Sequence, residues 1–315
     1  MREPLTGTAV KDSPPASAGP APETRREREF TAKERSQWQL AFRRFLRHRV
    51  AAASFVVFVL LLLFAFVLPH FWQFTYDVYT NDLNISPSLK HPFGTDATGY
   101  DGVAVVMRGT AQSLKVAFTI ALVGTGTGAL WGVISGFLGG FVDAALMRFA
   151  DLILTIPALA VAAALAKNFG GTWWIIGLIL ASVAAPYVAR VVRGVVLSLR
   201  EKEFIEAARA LGASNTRIMI RHLLPNTVPV LIVNATLLIA AGILTETALS
   251  FIGFGIQPPD TSLGVLITTA QGAFDTRPWL FYFPGVFIIL IALTVNFIGD
   301  GLRDALDPRQ TRERK

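Results

Sequence analysis

The chain has 315 residues, 52% of them apolar and only 16% charged, against roughly 25% charged in an ordinary soluble domain. A mean hydropathy of +0.49 and several apolar runs near the roughly 20 residues a helix needs to cross a bilayer exclude a water-soluble globule. The absence of cysteine excludes disulfides, thiolate zinc sites and cysteine nucleophiles together, and the formal charge of +7 reads as membrane topology, because the basic residues sort by side.

Residues 1 to 29 carry Pro4, Pro14, Pro15, Pro20 and Pro22 among Ala, Ser, Thr and Arg. Such a composition buries too little apolar surface to offset chain entropy and is expected to be disordered. The first apolar run starts only at Val50, which is read as a retained membrane anchor and not a signal peptide. Six spans are expected: Val50 to Leu68, ended by Pro69; Val116 to Val142; Leu152 to Ala166, interrupted by Pro157; Thr172 to Val188; Thr227 to Thr245; and Pro284 to Ile298. In the second, Gly124, Gly128, Gly132, Gly136 and Gly140 recur at every fourth position and form one stripe. A stripe of this kind lets a neighbouring helix approach backbone to backbone. It is read as a packing seam within one subunit, with a dimerisation face as the alternative.

The positive-inside rule supports an even number of spans. With the N-terminus inside, 24 of the 29 Lys and Arg fall on inner segments, and Lys90, Arg108, Lys115, Lys167 and Arg277 fall outside. The expected fold is therefore an all-α integral membrane protein with six transmembrane helices and both termini cytoplasmic. Its parts are a largely disordered tail (1–48), a first helix with an outer loop (49–111), a five-helix core (112–309) containing a cytoplasmic loop (190–226), and a C-terminal tail (310–315).

That cytoplasmic loop is too charged for lipid and too regular for a linker. Ser198 with Glu201 matches a capping box. A short helix through Glu206, Ala207, Ala208 and Leu211 is expected, ended by Gly212 as a left-handed cap, with Ser214 and Asn215 opening another. Phe204, Ala207, Ala208 and Leu211 would share one small-waisted face able to enter a partner's cleft.

Glu206-Ala207-Ala208, then Gly212, then Leu224-Pro225 resembles the EAA loop of binding-protein-dependent ABC importer permeases. The resemblance implies a type I importer permease bundle whose residues Glu206, Ala207, Ala208, Gly212, Leu224 and Pro225 couple to a cytosolic ATPase. His222 departs from the pattern, which has an apolar residue there, and is read as an interfacial side chain. Gly94-Thr95-Asp96 with Gly99 and Asp101, then Gly109 and Ser113-Leu114, resembles the outer-loop signature of the C-type subunits of dipeptide, oligopeptide and nickel permeases. Gly299 to Arg309 resembles the ending of the same family. Tyr100, Ala104, Val105 and Leu263 depart from its outer pattern and bear on the substrate, with peptides first and nickel chelates, glutathione-like compounds and oligosaccharides open.

No Gly-x-x-x-x-Gly-Lys-Ser/Thr phosphate loop is present, so this chain is expected to be non-catalytic, with no metal or cofactor of its own and with ATP and magnesium on partner subunits. The resemblance implies three kinds of neighbour besides membrane lipid and no nucleic acid: a homologous permease subunit, most simply as a heterodimer, two ATPase subunits or domains, and an extracytoplasmic solute-binding protein. Localisation would be the cytoplasmic membrane of a prokaryote. Asn234, Thr236 and Asn296 are candidate pathway-lining groups, although helix-to-helix hydrogen bonding is the commoner use of such residues. Glu246 is expected to contact loop backbone or a docked partner, and residues Leu263 to Ala270 to form a short interfacial helix. Two other readings stand beside the permease. One is an intramembrane aspartyl hydrolase built on Asp151 and Asp300, each three residues from an arginine (Arg148 and Arg303) and so placed for an ion pair. The other is a self-sufficient channel or secondary transporter.

Overall fold

The computed structural model describes residues 37–306, and among these it is helical with one isolated antiparallel bridge, Thr95 to Asp101. In chain order the helices are α1 (Gln37–Arg47), α2 (Arg49–Phe66), α3 (Gly102–Thr119), α4 (Thr125–Leu138), α5 (Gly140–Thr155), α6 (Ala158–Phe169), α7 (Trp173–Leu199), α8 (Glu203–Ala210), α9 (Asn215–Ile218), α10 (Leu224–Phe251), α11 (Leu263–Ala270) and α12 (Trp279–Leu306). Residues 1 to 29, expected to be disordered, and the ending beyond Leu306 lie outside the described residues.

Five segments are long and apolar enough to cross a membrane: Arg49–His70, Gly102–Leu138, Trp173–Leu199, Asn215–Phe251 and Trp279–Leu306. The bent pair α5 and α6 makes a sixth when counted as one span. The third span, expected over Leu152 to Ala166 with Pro157 inside it, is sharply bent, since α5 and α6 meet at 85°. Pro157 causes this: its ring disfavours helical backbone at the preceding residue, and Ile156 is extended, with φ −85° and ψ 135°. The second span begins fourteen residues before the expected Val116 and ends at Leu138. The early start follows from Asp101, whose carboxylate accepts the Ala104 N–H at 2.9 Å and caps α3. The stop follows from Gly139, at φ +68°, where the chain turns into α5.

The glycine stripe is an intrasubunit seam between α4 and α7. A Cβ at Gly128 would lie 2.6 Å from the Val188 Cβ and 2.7 Å from the Ala185 carbonyl, and one at Gly132 would lie 2.5 Å from the Ala189 carbonyl. Gly124 and Gly136 face Ala181 and Val196 in the same way, while Gly140 leaves the stripe and starts α5 with open space around it. Backbone contact of this kind supplies the dispersion and close approach that hold helices together where lipid removes the hydrophobic drive.

A second seam joins α2, α3, α10 and α12 through Leu61, Leu114, Ala117, Ile243 and Ile291. Above it, Phe93 from the outer loop stacks on Phe283 at 4.0 Å, and Phe64 lies 4.6 Å from Phe287, so the loop after α2 is pinned to the top of α12. The faces left over, Phe55, Val56 and Leu60 on α2 or Leu152 on α5, are apolar and exposed, as a lipid-facing surface requires.

Candidate functional site

The loop between α7 and α10 is built from the end of α7 inward. The helix does not stop at Ser198, as the capping-box reading expected. The Ser198 hydroxyl donates back to the Val195 carbonyl at 2.7 Å, α7 runs on to Leu199, and α8 starts at Glu203 after a turn whose N-cap is Lys202. At the other end the expectation holds. Gly212 has φ +78°, its N–H donates to the Arg209 carbonyl at 2.9 Å, and the Ala213 N–H donates to the Ala208 carbonyl at 3.0 Å, a Schellman closure. Ser214 then accepts the Arg217 N–H and caps α9.

The outward face of α8 is the expected one without Ala208. Ile205 and Ala208 are buried with Val133, Phe137, Val192, Val196, Ile218 and Leu223 at the inner ends of α4, α7 and α10. Phe204, Glu206, Ala207 and Leu211 point away from the bundle, with Leu211 88% exposed and Phe204 42%. Ala208 therefore belongs to the anchor and not to the outward face. Around this anchor, Arg209 lies 5.3 Å above the Phe137 ring, Arg200 donates to the Gly136 carbonyl at 3.2 Å, and Arg193 holds Asp143 through two 2.6 Å hydrogen bonds. Leu224 is half-buried and Pro225 exposed in the first turn of α10, where a proline leaves no helical donor unmatched. The result is a rigid stub, fixed on one side and apolar with a carboxylate on the other.

The outer signature has an architectural job. Asp101 is fully buried; besides capping α3 it accepts Trp72 Nε1 at 2.9 Å and pairs with His91 Nδ1 at 2.7 Å. Thr95 accepts the Ile85 N–H at 2.8 Å, and Asp96 accepts the N–H groups of Thr98 and Tyr100 at 2.9 Å. Gly94 (φ +72°) and Gly99 (φ +90°) sit so close to the Ile85 and Thr80 carbonyls that no side chain fits. These residues shape the loop's return into α3.

Asn234, Thr236 and Asn296 make no side-chain hydrogen bond to one another. Asn234 donates to the Val230 carbonyl and Thr236 to the Val233 carbonyl, each at 2.8 Å and each within α10, so neither bonds across helices. Asn296 is exposed on α12. Other polar groups bond from helix to helix or from helix to loop. Glu246, fully buried, accepts Ser113 of α3 at 3.1 Å and Ser250 at 2.8 Å, and Ser113 also accepts the Leu263 N–H that opens α11. Glu246 is thus satisfied by serine hydroxyls and not by loop backbone. Arg108 forks onto Asp260 at 2.8 and 2.9 Å under the Tyr76 ring, and Lys115 lies 5.5 Å from the Trp173 ring. An ionisable residue inside an apolar run was the available signal; its partner, 133 or 152 residues away, was not readable. Helix α11 forms over Leu263–Ala270 as expected.

The hydrolase reading fails on geometry. Asp151 is held by Arg190 of α7 and not by Arg148. Asp300 lies in a shallow hollow with His48, Val50, Phe297, Arg303 and Asp304, and no ion pair joins it to Arg303.

Residues 128–312 match the family described as binding-protein-dependent transport system inner membrane component. The chain belongs to that family. Residues 36–92 also match the N-terminal transmembrane domain of oligopeptide transport permease C. The permease is 43% identical over 277 residues to the oligopeptide transport system permease protein OppC of Mycobacterium bovis, covering 87% of this chain and 95% of that one. It is 42% identical over 280 residues to the protein of the same name from Escherichia coli strain K12, covering 87% and 92%. Among solved structures, a chain of the inward-facing MetNI methionine ABC transporter superposes with a TM-score of 0.53 at 22% identity, covering 64% of this permease and 96% of that chain, which places the bundle in the type I importer fold. This chain is thus a multi-pass permease subunit of the cytoplasmic membrane, and its family works with an ATPase and a substrate-binding protein.

Proposed function

We propose that this permease subunit forms half of the translocation pathway of an ATP-driven peptide importer and that α8 is the element through which an ATPase moves it. The outward face of α8 carries the reading: Phe204, Glu206, Ala207 and Leu211 are exposed on a helix clamped to the bundle by Ile205 and Ala208. An exposed apolar row with small residues at its waist fits a cleft, and the clamp passes force to α4, α7 and α10. Peptides are the solute class because the relatives carry that description. A homologous permease subunit completes the pathway, two ATPases bind ATP and magnesium, and this chain contributes no catalytic group. Glu206, Ala207, Ala208, Gly212, Leu224 and Pro225 build the coupling element. Closure of the ATPases shifts α8, and the bundle rocks between access states as packed bodies do.

The test is transport by the full complex in proteoliposomes, with labelled di- to pentapeptides, a nickel chelate and an oligosaccharide offered to the binding protein. ATP-dependent accumulation of peptide alone is expected. Flux without ATP from this chain alone would point to a self-sufficient channel, and uptake of another solute class would remove the peptide assignment while leaving coupling intact.

A further inference from the structure

The segment in front of the first span folds into α1, and its shape argues for an occupant that transport does not require. No acidic residue occurs between Gln37 and Arg49, whereas Arg43, Arg44, Arg47, His48 and Arg49 do. A straight helix would put residues ten apart about 15 Å from each other along its axis. The Phe45 and Phe55 rings nevertheless meet edge to face at 6.2 Å. The chain therefore turns at His48, whose ring accepts the Ala51 N–H, and α1 crosses the foot of α2. Its inner side is seated there: Phe45 is 6% exposed and, with Ala51, closes on Gly301 of α12 so tightly that a Cβ there would be 2.3 Å from the Ala51 methyl.

The rest of α1 is uncovered and sorted. Phe42 and Leu46, four residues apart and so on one face, are 63% and 51% exposed, and Val50 and Phe55 continue the apolar surface onto the lipid side of α2. Arg43, Arg47 and Arg49 are exposed and take part in none of the ion pairs among the described residues. A helix with aromatic and leucine side chains on one side and arginines on another, placed at the inner mouth of a membrane span, has the chemistry of an interfacial helix. The inner leaflet is where anionic headgroups attract such charges.

We propose that α1 is an inner-leaflet anchor selective for anionic phospholipid. Phe42 and Leu46 enter the headgroup and acyl boundary, and Arg43, Arg47 and Arg49 hold phosphodiester oxygens. This does not depend on which solute the complex carries, nor on the role given to α8.

Because the chain has no cysteine, a single Leu46→Cys takes one environment-sensitive fluorophore, with Phe42→Cys as a second site should the first variant fail to fold. The full chain is reconstituted in phosphatidylcholine, with and without phosphatidylglycerol, and quenching by lipids spin-labelled near the glycerol backbone is measured against a water-soluble quencher. Lipid quenching is expected to dominate and to rise when phosphatidylglycerol is present. The preference should weaken in high salt and fall about fivefold per arginine replaced by glutamine. The triple variant Arg43→Gln, Arg47→Gln, Arg49→Gln should become indifferent to lipid charge at an unchanged melting temperature. Equal quenching of the parent protein in both lipids would overturn the proposal, as would a label that stays in water until an ATPase is added.

Discussion

Replacing Gly212 with valine changes one backbone preference and little else. Nothing lies within 4 Å of the position a Cβ would take, so the penalty is conformational and not a clash. Holding a residue with a Cβ in the left-handed region costs about 1–2 kcal/mol, and a β-branched side chain belongs at the upper end. If the chain escapes that strain by relaxing, it gives up the Gly212 to Arg209 and Ala213 to Ala208 hydrogen bonds, each worth about 0.5–1.5 kcal/mol. Either route removes roughly 2 kcal/mol, about a thirtyfold loss in the ordered population of the loop. An eight-residue helix anchored by Ile205 and Ala208 has little reserve, since helices so short are marginal alone. The assay is hydrogen exchange over residues 203–213 alongside ATP-dependent uptake and binding-protein-stimulated ATPase of the full complex. The expected result is a normally inserted permease with faster exchange in that window and failed coupling. Gly212→Asn is the control, because asparagine tolerates left-handed backbone, and it should keep most activity. Wild-type uptake by the valine variant would refute the reasoning.

Glu206→Lys should weaken co-purification of the ATPase more than Glu201→Lys, because Glu206 lies on the outward face of α8 and Glu201 in the turn before it; equal retention would remove Glu206 from the contact. In the seam, Gly132→Ala drives a methyl to 2.5 Å from the Ala189 carbonyl, whereas Gly126→Ala meets nothing within 4 Å. The first should therefore lower the melting temperature of the detergent-solubilised chain, by an overpacking cost of about 1–3 kcal/mol, and the second should leave it unchanged. In the outer loop, the Lys90 ammonium and then the His91 ring hold Asp82 below the ordinary carboxylate range. A depressed carboxylate stabilises the fold above its unfolded pKa, and that contribution disappears as pH falls through its folded value. Protease resistance of residues 67–101 should thus drop on acidification below about pH 4, and Asp82→Asn should be less resistant at neutral pH with that part of the dependence gone.

The features legible in the sequence are those fixed by neighbours along the chain. Apolar runs marked the spans, Gly212 marked the end of α8, Ser214 marked the start of α9, and the four-residue glycine repeat marked the α4–α7 seam. Local patterns failed where packing had the final word. Ser198 and Glu201 read as a cap, yet the hydroxyl bonds back into α7, which the α4 seam keeps helical to Leu199. Ala208 shared the spacing of the partner-facing row with Phe204, Ala207 and Leu211, but it packs with Ile205 into the hollow above Phe137. Pro157 was seen, while the 85° bend depends on Ile156 becoming extended. The hydrogen bonds of Glu246 with Ser113 and of Arg108 with Asp260 join residues more than a hundred positions apart, which no local pattern encodes.

The segment from Asn215 to Phe251 is one helical run of 37 residues, charged at its start and apolar beyond, with a wider turn at Met219–Leu223, about 55 Å long at 1.5 Å per residue. One end grows out of the α8 loop, and the other carries Glu246, whose serine partner grips the first residue of α11. Over that length, a tilt of about five degrees about one end corresponds to about 5 Å at the other, so the inner loop and the outer α11 contact are joined by one continuous rod.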